Sequence, residues 1–235
     1  MFLSIIVGST SPSKKECFTT SSRSNGCILE ISSEYPKGKP GRPARFTIAT
    51  FNCTSNLMAI LEQNGMVVIL DLLNEMYWQL PPFGYCSLIK FSEFSPRELM
   101  VCDANNTVLF FQVDEGVVLR KLKGHQHPVK FISSTSDNKF LMTSSLYETI
   151  IWDLEANMQK HRLFLGKKIA IKIITFLPGS NNIIASFQDD SLNVWSFKTF
   201  DCLHQFIPND WRGHHLKSIA FTRYLSRRPQ RKTDH

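Results

Sequence analysis

Histidines, acids and cysteines are where chemistry would begin in this chain. His125 and His127 flank Gln126, and on a strand an i, i+2 pair points to one face, as the first two ligands of a metal site do. No third ligand stands near them, so His125 reads better as a structural hydrogen-bond partner. His214-His215, in "WRGHHLKSIAF", is read as structural or exposed. Asp189-Asp190 imitates an acid pair, but adjacent carboxylates in a turn usually cap backbone donors. "GKPGRP", residues 38–43, has the glycines and cation of a phosphate loop, yet no helix follows it, and it reads as a linker. The cysteines are Cys17, Cys27, Cys53, Cys86, Cys102 and Cys202. No two lie close enough for a zinc site or a redox dithiol, so they are expected to be reduced, mostly buried thiols of an intracellular protein. No nucleophile has a base at recognisable spacing. The residues therefore predict no enzyme, no cofactor, no metal and no small-molecule substrate.

The 235 residues are 43% hydrophobic and 20% charged, enough to bury a core and unlike a disordered chain. The net charge of +7 is concentrated at one end. Residues 212–235 hold Arg212, Lys217, Arg223, Arg227, Arg228, Arg231 and Lys232 against Asp234 alone, so the body before them nets only +1. Such a tail can bind nucleic acid or anionic lipid without sequence preference, although a solvated end is the simpler reading. The opening apolar run, Phe2 to Val7, lacks a basic flank and falls short of the ~7 residues a signal sequence needs. No run approaches the ~18 apolar residues of a membrane span. Asn52-Cys53-Thr54 and Asn105-Asn106-Thr107 match the glycosylation sequon, a pattern common by chance, and both fall in expected turns.

Which elements would hold these side chains? The apolar run that ends at Trp152, in "YETIIWDLEAN", recurs. Trp195 has the same setting, and Phe111 and Leu70 stand in the same place further back, about 41 to 43 residues apart. That period lies in the ~40–45 residue range of a four-stranded propeller blade. First strands are expected at 46–51, 87–92, 129–134 and 171–176, and second strands at 57–61, 99–102, 140–144 and 183–187. Asn64-Gly65, Asn105-Asn106 and Asp189-Asp190 precede the third strands, and these residues tolerate the positive φ of tight hairpins. No window of this length sustains a helical period. A single unit cannot bury both its faces, so the units must stack.

The third unit resembles a WD repeat. It opens with Gly124-His125 and closes with Trp152-Asp153. In that family the His, a Ser or Thr on the second strand, an Asp in the following turn and the Trp form a buried hydrogen-bonded set. The resemblance implies His125, Ser144 (or Ser145) and Trp152 as members. Leu146-Tyr147-Glu148 stands where the turn Asp belongs, in a hairpin one residue shorter. The fourth unit has Asp189 and Trp195 but no Gly-His before its first strand, and the first two units have neither the His nor the Trp at the corresponding positions. A closer resemblance covers roughly residues 26–223. The order "KLKGHQHPVKF", "TSSLYETIIWDLE" and "FLPGSNNIIASFQDDSLNVW" is similar to the amino-terminal WD-repeat region of the TBC-domain family called member thirty-one. In that family a TBC domain, of the Rab GTPase-activating type, and coiled coils follow the propeller, and the proteins act as adaptors at centrosomes, centriolar satellites and forming cilia. These 235 residues contain neither a TBC domain nor heptads, so the resemblance implies scaffolding without GTPase activation.

The expected architecture is therefore all-β: a partial WD-repeat β-propeller of about four blades plus a fragment of a fifth, arranged either as an open arc, the preferred reading, or as a four-bladed closure under strain. Residues 1–25 are expected to be a disordered or variable start, and 26–44 the outer strand of a closing blade plus a linker. Blades follow at about 45–84, 85–124, 125–166 and 167–210, with part of a fifth at 211–222 and a basic disordered tail at 223–235. A chain truncated from a longer protein is the simplest account. Its expected function is a cytoplasmic, centrosomal adaptor whose partners are other proteins. The alternatives are a nucleic-acid-associated propeller recruited by its tail, and a truncated regulatory form of a Rab-GAP-like protein.

Overall fold

The computed structural model describes residues 3–7, 15–17, 29–33, 46–164 and 169–207. All regular structure among them is β-strand. Strand β1 (Leu3–Val7) pairs in parallel with β3 (Leu29–Ser33), and β2 (Glu16–Cys17) lies between them in sequence. Within the start expected to be disordered or variable, residues 3–7 and 16–17 are strands, and most of the remainder lies outside the described residues. The expected outer strand of a closing blade is represented by β3, whose partner among the described residues is β1 and not a blade. The fifth unit and the basic tail lie outside the described residues.

Four antiparallel sheets follow. The first blade is β4 (Phe46–Phe51), β5 (Leu57–Glu62), β6 (Val67–Asp71) and β7 (Met76–Gln79), with β2 added outside β7. The second is β8 (Leu88–Phe91), β9 (Glu98–Cys102), β10 (Val108–Gln112) and β11 (Val117–Leu122). The third is β12 (Phe131–Ser134), β13 (Phe140–Ser144), β14 (Glu148–Asp153) and β15 (Met158–Phe164). The fourth is β16 (Ile171–Phe176), β17 (Ile183–Phe187), β18 (Leu192–Trp195) and β19 (Cys202–Phe206). Each is a meander of up-and-down strands, so consecutive strands neighbour each other as short connections dictate. The four blades form an open set of β-propeller blades, not a closed ring.

Register shows that the units are equivalent. Leu70, Phe111, Trp152 and Trp195 pair with Met58, Leu99, Leu141 and Ile183 on the second strands. On the outer strands they pair with Tyr77, Val118, Gln159 and Cys202. In the last three blades a bulge falls immediately before this residue. Each of these three belongs to a core cluster shared with the preceding blade: Phe111 with Val67, Ile69 and Trp78, Trp152 with Met100 and Phe110, Trp195 with Met142 and Ile151. The large aromatic thus stands where strand alternation turns it into the seam between blades, and its burial holds one blade on the next.

The turns follow the backbone demands of their residues. Gly65, Asn106 and Asp190 have φ of +84°, +59° and +60°, the left-handed region that Gly, Asn and Asp enter at low cost. The hairpin between second and third strands has five residues in three blades (62–66, 103–107 and 187–191) and four in the third, 145–148. Inner strands are stapled at a regular offset. Ser87 Oγ donates to the Val129 carbonyl (2.9 Å), Lys90 Nζ to the Ile132 carbonyl (3.1 Å), and the Ser133 and Thr175 hydroxyls share a bond of 3.0 Å, each pair 42 residues apart. Asn52, in the first sequon, is buried and committed: its side chain accepts from the Leu57 N–H (3.0 Å) and donates to the Pro96 carbonyl (3.0 Å).

Candidate functional site

The third blade brings together more chemistry-bearing side chains than any other part of the described structure. His125 sits in the loop entering β12, Thr143 near the end of β13, Glu148 and Trp152 at the two ends of β14, and Arg162 on β15. They form one unbroken chain of hydrogen bonds. Trp152 Nε1 donates to Thr143 Oγ1 (2.7 Å), and Thr143 Oγ1 lies 2.7 Å from His125 Nε2. His125 Nδ1 is 3.1 Å from Glu148 Oε1, which also accepts from the Gln126 N–H at 2.9 Å. Arg162 Nη1 donates to the second carboxylate oxygen (2.8 Å) and its Nη2 to the Gly124 carbonyl (2.7 Å).

One protonation pattern satisfies every bond. Burial pushes the His125 pKa below its ordinary value, against the pull of the Glu148 carboxylate, so the ring is neutral. Its Nδ1–H then donates to Glu148, and its Nε2 accepts the Thr143 hydroxyl proton, leaving the Thr143 oxygen to accept from Trp152. Glu148 is held below the usual carboxylate range: burial pushes it up, but the Gln126 N–H, His125 and Arg162 together outweigh that cost. Gly124 is packed closely, since a Cβ there would lie 3.2 Å from the Trp152 ring, which would have to give way by a few tenths of an ångström. Both ring nitrogens of His125, both carboxylate oxygens of Glu148, the Thr143 hydroxyl and the Trp152 N–H are each engaged. The arrangement locks a loop and three strands together and offers no nucleophile with a free base.

Two sequence expectations change here. Ser144 is not the hydroxyl between His125 and Trp152; Thr143 is. Trp152 pairs with Leu141, and alternation places Thr143, two residues on, on the Trp face, while Ser144 turns to the other face. There the Ser144 hydroxyl bonds Thr149 Oγ1 (2.8 Å) and the Glu148 carbonyl (3.1 Å), and Ser145 caps the turn by accepting from the Glu148 N–H (3.1 Å). The missing turn Asp is supplied as Glu148. The hairpin is one residue shorter, and the longer side chain restores the reach. Its signal was present in the sequence as an acid at the end of the shortened turn.

The remaining predicted residues are structural in different ways. Asp153 caps the turn after β14, accepting from the Glu155 and Ala156 N–H groups (3.1 and 2.9 Å). Asp189 accepts from Ser191 N–H (3.0 Å) and Oγ (2.6 Å), whereas Asp190 pairs with Lys172 at 2.8 Å, so the acid pair is divided between a turn and an inner strand. Trp195 is buried and meets Phe187 edge to face at 6.2 Å, but Ala185 stands where the third blade has Thr143. His127 is exposed and separated from His125 in function. No group of three or more potential metal-binding side chains occurs among the described residues. The thiols are less uniformly buried than expected. Cys102 is buried and Cys86 half-buried, with burial pushing the Cys86 thiol up to about 11, but Cys53 and Cys202 are exposed.

Sequence reasoning did not anticipate the outer edges of the blades. Val117, Val118 and Leu119 on β11 are exposed, as are Leu203 and Phe206 on β19. No helix among the described residues is long and apolar enough to cross a membrane.

No protein-family model matches the chain. Curated relatives do. The chain is 29% identical over 77% of its length to TBC1 domain family member 31 of Xenopus laevis, and 25% identical over 76% to that of Homo sapiens. It spans only 17% of the length of each. It is also 25% identical over 74% of its length to the transcriptional corepressor LEUNIG_HOMOLOG of Arabidopsis thaliana, of which it spans 22%. With the blade register and the His-Thr-Trp set in place, the chain is a partial β-propeller, similar over about three quarters of its length to one portion of TBC1 domain family member 31.

Proposed function

We propose that this chain is a non-catalytic scaffold that presents blade edges and loops to other proteins. The observation that carries the reading is the closed network of the third blade: its imidazole, carboxylate and guanidinium are consumed in holding loop to strand. Side chains locked in this way supply rigidity, and a rigid blade stack binds by positioning surfaces. The similarity to TBC1 domain family member 31 supports protein partners. The finer reading, that the chain is an adaptor at centrosomes and centriolar satellites serving cilium assembly, rests on the family resemblance.

Proximity labelling from the tagged chain in ciliating cells tests both levels. Enrichment of pericentriolar proteins over a diffuse cytoplasmic control is expected. Enrichment of chromatin or RNA-binding proteins, with steeply salt-dependent nucleic-acid binding by the purified chain, would overturn the reading in favour of a nucleic-acid-associated propeller.

A further inference from the structure

The outer strand of each blade exposes a row of backbone N–H and C=O groups, and this chain treats its four edges differently. The edge of the first blade is occupied. Strand β2 lies antiparallel on β7, pairing Glu16 with Tyr77 and Cys17 with Met76. A flanking charge fixes it, for Lys15 Nζ reaches Asp114 Oδ1 at 3.1 Å and lies over the Trp78 ring at 4.7 Å. The edge of the third blade is polar, and its cations are engaged: Lys160 over the Phe140 ring (3.9 Å) and Arg162 with Glu148. The edge of the second blade combines what the other two separate. Val117, Val118 and Leu119 are 44%, 39% and 52% exposed in succession. Lys121 and Lys123 follow, both exposed, with no ion-pair partner among the described residues. Arg120 is tied down, donating to the Leu154 carbonyl (3.2 Å) and lying over the Phe110 ring.

We propose that β11 accepts an extended, acidic segment of a partner protein as a fifth antiparallel strand of the second blade. Backbone bonds supply affinity, the apolar Val117–Leu119 run covers alternate side chains of the incoming strand, and Lys121 and Lys123 select carboxylates at one end. Strand addition at β7 shows that a blade edge of this chain takes a further strand next to a charge pair. The edge of the fourth blade is apolar too, but β19, Cys202–Phe206, bears no Lys, Arg, Asp or Glu with which to choose a partner. The two lysines at one end of the edge call for carboxylates, which an acidic segment supplies; pairing with a second copy is an outcome that the test below distinguishes.

The inference rests on the scaffold reading and is tested separately from it. The probe is a short valine- and threonine-rich peptide with glutamates placed to meet Lys121 and Lys123, N-methylated along one edge so that it cannot pair with itself. With the full chain, saturable binding is expected, together with slowed hydrogen exchange at the amides of 117–122. The exposed double variant Lys121→Glu, Lys123→Glu should melt like the parent, bind the peptide at least about tenfold more weakly, and recover binding when the peptide carries lysines instead. Absence of saturable binding, indifference to the charge swap, or protection at 202–206 instead of 117–122 overturns the proposal. So does a dimer in sedimentation with the 117–122 amides already protected, which would assign the edge to a second copy. Failure here with pericentriolar neighbours retained in cells removes the docking edge and leaves the scaffold; loss of those neighbours removes the scaffold itself.

Discussion

The third and fourth blades carry a tryptophan at the same register and support it by opposite means. In the third, Trp152 is wired through Thr143 to His125, Glu148 and Arg162. In the fourth, Ala185 removes the hydroxyl, and packing replaces wiring. Trp195 meets Phe187, while Phe176, Phe197 and Phe140 form an aromatic cluster with centroids 5.1 to 5.6 Å apart, reaching across the same seam. The fourth blade also leaves Ser186 Oγ and Asn193 Oδ1 buried with no hydrogen-bond partner among the described residues. One fold position therefore tolerates either a satisfied polar network or an apolar cluster, because both remove the indole from water. What differs is the consequence of error. A network fails when one member is lost, and a packed cluster fails by volume.

The largest test removes the tryptophans themselves. Trp152→Ala and Trp195→Ala should each cost roughly 3–5 kcal/mol, the usual range for truncating a buried large side chain. Trp152→Ala should sit at the upper end, because it also strips Thr143 of a donor. Chemical denaturation of both variants checks this, and a Trp152→Ala chain that unfolds like the parent would refute the blade assignment. Next comes Thr143→Ala, which gives the third blade the residue of the fourth. It leaves the Trp152 N–H and His125 Nε2 without their shared partner and should cost about 1–3 kcal/mol. If the two blades were equivalent in design, that substitution would be neutral.

A pH series distinguishes them further. The folded His125 pKa lies below its ordinary value of about 6.5, so between the two values the unfolded state binds the extra proton. Its contribution is complete above the unfolded value and is lost as pH falls towards the folded one. Glu148, also lowered, acts in the same direction at lower pH, below about 4.5. Thermal melts from pH 8 down to 5 should show stability declining below about pH 6.5, with the decline reduced in His125→Gln. An unchanged slope in that variant would place the titration elsewhere.

Much of this was legible from the chain. The period that aligns Leu70, Phe111, Trp152 and Trp195 gave the blade positions, and Asn64-Gly65 and Asn105-Asn106 gave their turns, because backbone torsion preferences are local. The identity of the hydroxyl was not legible. Thr143 and Ser144 are adjacent and chemically alike, and only the pairing of Leu141 with Trp152 decides which one shares the tryptophan face. Glu148 was hidden for a related reason: a shorter hairpin moves the acid, and reach across a loop is a property of three dimensions. The pairing of β2 with β7 is less visible still, since a strand of two residues has no period to detect.

The smallest expected effect makes the comparison run the other way. Asn193 pairs with Ala185 and shares a face with Trp195, two residues on. The same position in the third blade is Ile150, fully buried beside Trp152. Asn193 therefore places an amide where the third blade has an aliphatic side chain, and its Oδ1 has no hydrogen-bond partner among the described residues. An unmet acceptor of this kind costs on the order of 1–3 kcal/mol. Asn193→Ile removes that penalty and suits the strand, but adds a branched methyl to a packed seam, which takes back part of the gain. The net result should be a stabilisation of about 1 kcal/mol, seen as a higher denaturation midpoint at unchanged slope. Destabilisation would mean that the aromatic seam of the fourth blade has no spare volume, and that Asn193 is held there by shape rather than by its amide.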